Sequence, residues 1–168
     1  LRHTLTTQPS EKLIEVAERV RKQKNVLQLS HDLMAEVHGK VAYVVGVSHV
    51  HTTAAEAFAA KRGVCQDHAH IMVTVARHLG IPARYVTGYL VTGVGASSSA
   101  AHAWAEILVP DLGWVGFDAA NGQSPTEHYV RVASGLDAAS VAPVRGTRRG
   151  GSGAEHMRVE VRVEISQQ

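Results

Sequence analysis

The pattern of apolar and polar positions predicts helices in the first half of the chain and strands in the second. Ser10 is typical of a helix N-cap, and apolar residues follow it at helical spacing. We therefore expect a surface helix from Ser10 to near Asn25. A second, shorter amphipathic helix is expected from Ser30 to Val37, with Gly39 ending it.

Three further elements are predicted before residue 80. The apolar, β-branched run of residues 41–47 favours a short strand, and Thr53 caps a helix of one to two turns over residues 54–61. A longer helix begins at Cys65, because the apolar residues that follow it recur at the spacing of one helix face. Gly80 provides the stop signal of this helix.

Alternation with a period of two then predicts an antiparallel sheet. The expected strands cover residues 83–91, 101–109, 114–118, 128–133 and 157–165. A turn at residues 110–113 joins the second and third of them into a hairpin, and residues 92–100 form a loop. Helices followed by an antiparallel sheet indicate an α+β fold, which we assign to residues 1–168 as a single domain.

The composition is that of an ordinary globular domain. The 168 residues are 45% hydrophobic and 19% charged, which argues against disorder. A formal net charge of +2 is too small to indicate a nucleic-acid partner, and no segment is apolar enough to predict a membrane span. A single cysteine cannot form an intramolecular disulfide, so a cytoplasmic location is the default expectation, and the oligomeric state stays open.

Cys65 is the residue on which the predicted function depends. It is the only cysteine of the chain and lies at the predicted N-terminus of a helix. The backbone N–H groups and the helix dipole there favour an anion such as a thiolate. We therefore interpret Cys65 as a catalytic nucleophile. The simpler alternative is an inert core cysteine, which is the commoner role of a single cysteine on a helix.

The spacing of the predicted hairpin selects a histidine and an acid to accompany Cys65. His102 on one strand falls opposite Asp118 on the other to within a couple of residues, close enough for a hydrogen bond from Nδ1–H to the carboxylate. His102 would take the thiol proton and return it to the leaving amine, while Asp118 would orient the imidazole. The spacing thus predicts a Cys65–His102–Asp118 triad.

Four more residues are candidates around this triad. The backbone N–H of Cys65 is the natural first donor to an oxyanion, and Gln66, Trp104 and Tyr43 are candidates for the second donor. Asp67 is expected either to lie beside the nucleophile and support it or to have a surface or structural role. We expect no metal and no cofactor, because no second Cys/His pair has the spacing of a structural zinc site.

Four motifs carry a resemblance to a known family. Residues 63–70 read GVCQDHAH and residues 80–89 read GIPARYVTGY, while residues 102–106 read HAWAE and residues 113–118 read GWVGFD. Together they resemble the bacterial transglutaminase-like core domain, which belongs to the papain-like cysteine-protease superfamily. The resemblance implies a papain-like fold, with N-terminal helices and the nucleophile helix packed on an antiparallel sheet. It also implies a triad in the chain order Cys, His, Asp.

The resemblance covers nearly the whole chain, because residues 141–146, VAPVRG, are similar to the family's segment near its C-terminus. The sequence departs from the pattern at His68, where the family usually has an aromatic or apolar residue, and at residues 119–121, where it often has Pro-Thr-Asn. A β-rich region commonly precedes this core in the family and has no counterpart here, which raises the alternative that the chain is a fragment lacking it. None of these departures removes a triad residue, so activity is expected.

The predicted triad is compatible with three functions. An acyl-enzyme formed on Cys65 from a peptide or protein amide can be hydrolysed, as in a cysteine protease or amidase, or passed to an amine, as in a transglutaminase. We favour hydrolysis, because water needs no dedicated second binding site. The third alternative is a non-catalytic scaffold that binds a peptide or partner through the same core.

Overall fold

The computed structural model describes residues 2–91 and 101–142. The predicted loop at residues 92–100 and the predicted strand at residues 157–165 lie outside these ranges. The helices and strands are α1 (Glu11–Val20), α2 (Val26–Lys40), β1 (Ala42–Tyr43), α3 (Ala54–Ala60), β2 (Arg62–Gly63), α4 (Cys65–His78), β3 (Ala83–Leu90), β4 (Ala101–Val109), β5 (Gly113–Phe117) and β6 (Tyr129–Gly135).

A four-stranded antiparallel sheet has the strand order β5-β4-β3-β6. β4 and β5 form the predicted hairpin, in which Ala105 is level with Phe117 and Val109 is level with Gly113. Helix α4 packs against β3 and β4, and every residue from Asp67 to Arg77 of this helix is buried. The fold is therefore α+β, as predicted, with the helix of Cys65 packed on the sheet.

The main core lies between the helices and one face of the sheet. Leu13 and Val16 of α1, Leu33 of α2 and Ile71 and Met72 of α4 are almost completely buried in it. Because α4 is surrounded by this core, its N-terminus is held in a fixed position relative to the sheet. None of the helices in the described ranges is long and apolar enough to cross a bilayer.

The boundaries of the first two helices differ from those predicted. Helix α1 ends at Val20 rather than near Asn25, because Asn25 is instead the N-cap of α2 and accepts a hydrogen bond from the Leu27 N–H at 2.8 Å. Helix α2 then continues to Lys40, so Gly39, expected to end it, lies inside its last turn. The second helix is thus longer than predicted at both ends.

The strand predicted over residues 41–47 is wrong beyond its first residues. β1 contains only two residues, which pair in parallel with β2. Gly46 has a φ of 80°, a left-handed conformation that ends the extended backbone. The apolar side chains of the following loop are exposed, to 78% at Val45. The apolar, β-branched composition of this segment therefore does not reflect a buried strand.

Because Gly88 in β3 has no side chain, atoms of the neighbouring strands β4 and β6 pack close to its backbone. A Cβ atom at this position would lie 2.0 Å from the backbone oxygen of Val130 and 2.8 Å from Cη2 of Trp104. We expect Gly88→Ala to lower the free energy of unfolding by about 1–3 kcal/mol, measured by urea denaturation. Gly39→Ala is the control without a clash, because nothing lies within 4 Å of its Cβ position, and alanine in this helical turn should keep or raise stability. Equal stability of both variants would contradict this reading of Gly88.

Candidate active site

Cys65 is the first residue of α4 and lies where this helix meets the sheet. As the first helical residue, it has a backbone N–H without an acceptor inside the helix. Its side chain is half-buried and packs against Tyr85, Ala103 and Val141. The thiol is therefore at a helix N-terminus, with one side on apolar groups and the other accessible.

Asp67 fixes the backbone that leads into Cys65. Its Oδ2 accepts hydrogen bonds from the Val64 N–H at 2.7 Å and from the Ser48 hydroxyl at 2.5 Å. The Asp67 side chain is fully buried. It therefore ties the start of α4 to the exposed loop that contains Ser48.

His102 and Asp118 come from neighbouring strands and are hydrogen-bonded, with Nε2 of His102 2.6 Å from Oδ2 of Asp118. Continuing the ladder of β4 and β5 puts Trp104 level with Asp118, so His102 reaches the carboxylate diagonally with its outer nitrogen. The predicted bond from Nδ1–H is therefore wrong in the choice of nitrogen. Nδ1 makes no bond with Asp118, and the thiol of Cys65 lies close enough to His102 to raise the pKa of its ring.

The carboxylate of Asp118 has further donors that the sequence patterns did not identify. Its Oδ2 also accepts hydrogen bonds from the Tyr129 hydroxyl and from the Asn121 side-chain amide, both at 2.7 Å. Its Oδ1 accepts from the backbone N–H groups of Ala120 at 3.0 Å and Asn121 at 3.3 Å. Asn121 follows Asp118 in a turn, which is a local signal. Tyr129 begins β6, which lies at the opposite edge of the sheet from β5, so no local pattern pairs it with Asp118.

These contacts also set the charges of the pair. Burial disfavours the charged ring of His102, but its hydrogen bonds with Asp118 and Cys65, and the charges of those groups, raise its pKa to about 9. Burial also disfavours the ionised form of Asp118. The hydrogen bonds from His102, Tyr129 and Asn121 outweigh this effect, so the pKa of Asp118 lies below the ordinary aspartate value. An imidazolium–carboxylate pair is therefore favoured at neutral pH.

A cleft of about 550 Å³ opens beside Cys65 and His102. Its walls come from the loop before α3, the start of α4, strands β3 and β4, and the segment after β6. The cleft is large enough for part of an extended peptide. It gives a substrate carbonyl access to the sulfur of Cys65 from one side.

The sequence profile of the transglutaminase-like superfamily matches residues 14–119. The chain belongs to the transglutaminase-like superfamily. An uncharacterised protein of Mycobacterium leprae (strain TN) is 37% identical to it over 133 residues, which cover 76% of this chain and 46% of the relative. The chain thus spans about half the length of the curated relatives it matches.

Solved structures confirm the fold of this transglutaminase-like core. A candidate cysteine protease from Cytophaga hutchinsonii matches with a TM-score of 0.73 and 28% identity, over 84% of this chain and 47% of that one. The periplasmic domain of TgpA from Pseudomonas aeruginosa matches with a TM-score of 0.55 and 22% identity, over 71% and 45%. Family membership and the first of these matches support a thiol enzyme of this general kind. The cytoplasmic location stays a prediction.

Of the three candidates for a second oxyanion donor, the structure brings Gln66 to the cleft. Its Nε2 donates to the backbone oxygen of His49 at 3.3 Å. Trp104 stacks on the ring of His102 at 6.3 Å between centroids, and it is not among the residues that line the cleft. Tyr43 is 54% exposed outside the cleft, although burial and the nearby charges of Cys65 and Asp118 raise its pKa.

Two histidines of α4 make contacts within the core. His68 is hydrogen-bonded to the backbone oxygens of Val64 at 2.8 Å and Val41 at 2.9 Å. Nε2 of His70 accepts a hydrogen bond from the Ala138 N–H at 3.1 Å. Between residues 2 and 91 and between 101 and 142, no group of three His, Cys, Asp or Glu side chains is arranged to hold a metal ion.

Proposed function

We propose that this transglutaminase-like core is a thiol-dependent acyl-transfer enzyme that hydrolyses amide bonds. The observation that carries the proposal is the line of contacts from the Cys65 thiol through His102 to the buried carboxylate of Asp118, beside an open cleft. A nucleophile, a base and an orienting acid in this order are the parts that acyl transfer requires. Membership of the superfamily supports the same class of chemistry.

In the proposed reaction, the sulfur of Cys65 bonds to the amide carbonyl carbon, and the π electrons of the carbonyl move to its oxygen. The backbone N–H of Cys65 is the expected donor to this oxyanion. His102 protonates the leaving amine as the C–N bond breaks, and Asp118 stabilises the imidazolium until then. The neutral His102 then takes a proton from water, whose oxygen attacks the thioester. The C–S bond breaks as the acid leaves, and the proton stays on His102 beside the sulfur, which restores the starting state.

Alkylation of Cys65 by limiting iodoacetamide tests this proposal directly. At pH 6 we expect the wild-type thiol to react about tenfold or more faster than free cysteine, because an adjacent imidazolium stabilises the thiolate. His102→Ala should remove this advantage. Mass spectrometry measures the rate, and the single cysteine makes the modified site unambiguous. The matched control is His128→Ala, which removes an exposed histidine.

Ordinary thiol reactivity in both the wild type and His102→Ala would overturn the proposal in favour of a scaffold that only binds a peptide or partner. A difference between these two proteins that His128→Ala does not reproduce would support the enzyme.

Hydrolysis and transamidation differ in the nucleophile that reaches the thioester. We expect a glutamine-containing peptide library, incubated with a fluorescent primary amine, to be cleaved or deamidated without incorporating the amine, since water needs no second binding site. Mass spectrometry of the peptides measures both outcomes, and Cys65→Ala controls for uncatalysed reaction. Amine incorporation as the main product would instead indicate a transglutaminase.

A further inference from the structure

The residues that line the cleft beside Cys65 indicate which substrate side chain it takes. We propose that the cleft binds an uncharged aliphatic side chain on the residue whose carbonyl the sulfur attacks. The inference rests on the proposed function, because it concerns the acyl residue of the same reaction. It adds the chemical class of that residue, which the triad alone leaves open.

Small apolar side chains form most of the cleft wall. They come from three separate parts of the chain, and they include Val64, Ala101, Ala103, Ala138, Val141 and Ala142. In the part of the chain that the structure describes, no Asp, Glu, Lys or Arg lines the cleft. The wall therefore offers contact area to an aliphatic group, and the one charge that it presents to an ionised group, the imidazolium of His102, is already paired with Asp118.

This apolar wall extends to the sulfur itself. Cys65 packs against Tyr85, Ala103 and Val141, and of these Tyr85 is 4% and Ala103 3% exposed. In a thioester, only Cα separates the carbonyl carbon bonded to sulfur from the side chain of its own residue. That side chain must therefore lie within reach of the wall beside Cys65.

Two polar side chains of the cleft, those of His102 and Gln66, are already engaged. His102 is hydrogen-bonded to Asp118 and to Cys65 itself, and the side-chain amide of Gln66 donates to the backbone oxygen of His49. A charged substrate side chain would lose water here, and the only charge of the described lining, on His102, is already neutralised by Asp118. The same loss does not arise for alanine or valine, whose side chains have no polar group to desolvate.

Matched peptidyl chloromethyl ketones test the inference on the full chain. Four acetyl-tripeptide reagents carry Ala, Val, Glu or Lys at the residue bearing the ketone, with alanine at the other two positions. We expect the second-order rate of Cys65 alkylation to be about tenfold or more higher for the Ala and Val reagents than for the Glu and Lys reagents. Mass spectrometry of the intact protein measures each rate.

A negative charge placed at the rim of the cleft should change the order of the four alkylation rates in a predictable way. Ala142 lines the cleft and is exposed, so Ala142→Glu adds a carboxylate without filling the core. We expect it to raise the Lys rate relative to the Ala rate by about threefold or more. Ala35→Glu makes the same change at an exposed position of α2 outside the cleft, and should leave the order unchanged.

The possible outcomes separate this inference from the proposed function. Rapid alkylation with equal rates, or with faster rates for Glu or Lys, overturns the aliphatic preference and leaves the thiol enzyme standing. Slow alkylation by all four reagents overturns the thiol enzyme. In that case, an NMR titration of Cys65→Ala with the matching tripeptide amides measures their binding and decides the inference. Tighter binding of the Ala and Val peptides supports it, and no preference or no binding overturns it.

Discussion

Replacing Asp118 with asparagine is expected to lower kcat/KM for amide hydrolysis by about 10³-fold. The substitution removes the charge that helps raise the pKa of His102 to about 9, and the amide of asparagine can present a donor where Nε2–H of His102 needs an acceptor. The imidazolium is then no longer stabilised next to the thiol. The measurement is turnover of a peptide that the wild type cleaves, together with an NMR titration of His102, whose pKa should fall.

Asp111→Asn is the matched control for this variant. Asp111 is exposed in the turn between β4 and β5, and its φ of 65° is a conformation that asparagine tolerates. It therefore undergoes the same chemical change far from the site, and both activity and fold should be preserved. If Asp118→Asn keeps wild-type kcat/KM while its circular dichroism is native, the carboxylate has no part in the reaction and the proposed triad is wrong.

The hairpin is the part of the candidate site that sequence patterns predict well. Alternation in β4 and β5 and the short turn between them determine both strands and nearly determine their register, so His102 and Asp118 can be paired from spacing alone. The choice of nitrogen could not be predicted in this way. It depends on an offset of two residues along the ladder, and a register error of that size is within the uncertainty of any turn prediction.

Contacts between distant segments are the part that sequence patterns miss. Tyr129 donates to Asp118 although β5 and β6 lie at opposite edges of the sheet, and a register shift in the pairing of β6 with β3 falls between Thr87 and Gly88. No local signal near Tyr129 indicates either fact. Residues 41–47 show the opposite error, because local β propensity suggests a strand while the bend at Gly46 leaves only a two-residue pairing.

Amide turnover and thiol alkylation are expected to respond differently above pH 9. Turnover needs the imidazolium of His102 to protonate the leaving amine, whereas alkylation needs only the thiolate. Because the pKa of His102 is raised to about 9, its proton stays bound through neutral pH and is lost as the pH rises through that value. We therefore expect kcat/KM to be level up to about pH 9 and then to fall about tenfold per pH unit, while the rate of alkylation by iodoacetamide does not fall.

Both rates should be measured on one preparation between pH 7 and about 10.5, with circular dichroism at each pH. The check is needed because the raised pKa of His102 also links its protonation to folding. The stability that the imidazolium contributes is complete below the ordinary histidine pKa of about 6.5 and is lost as the pH rises through about 9. A fall of both rates with native dichroism would contradict the prediction, because a loss confined to protonation of the leaving amine does not slow alkylation. A turnover rate that stays level to pH 10.5 would exclude His102 as the acid that protonates the leaving amine.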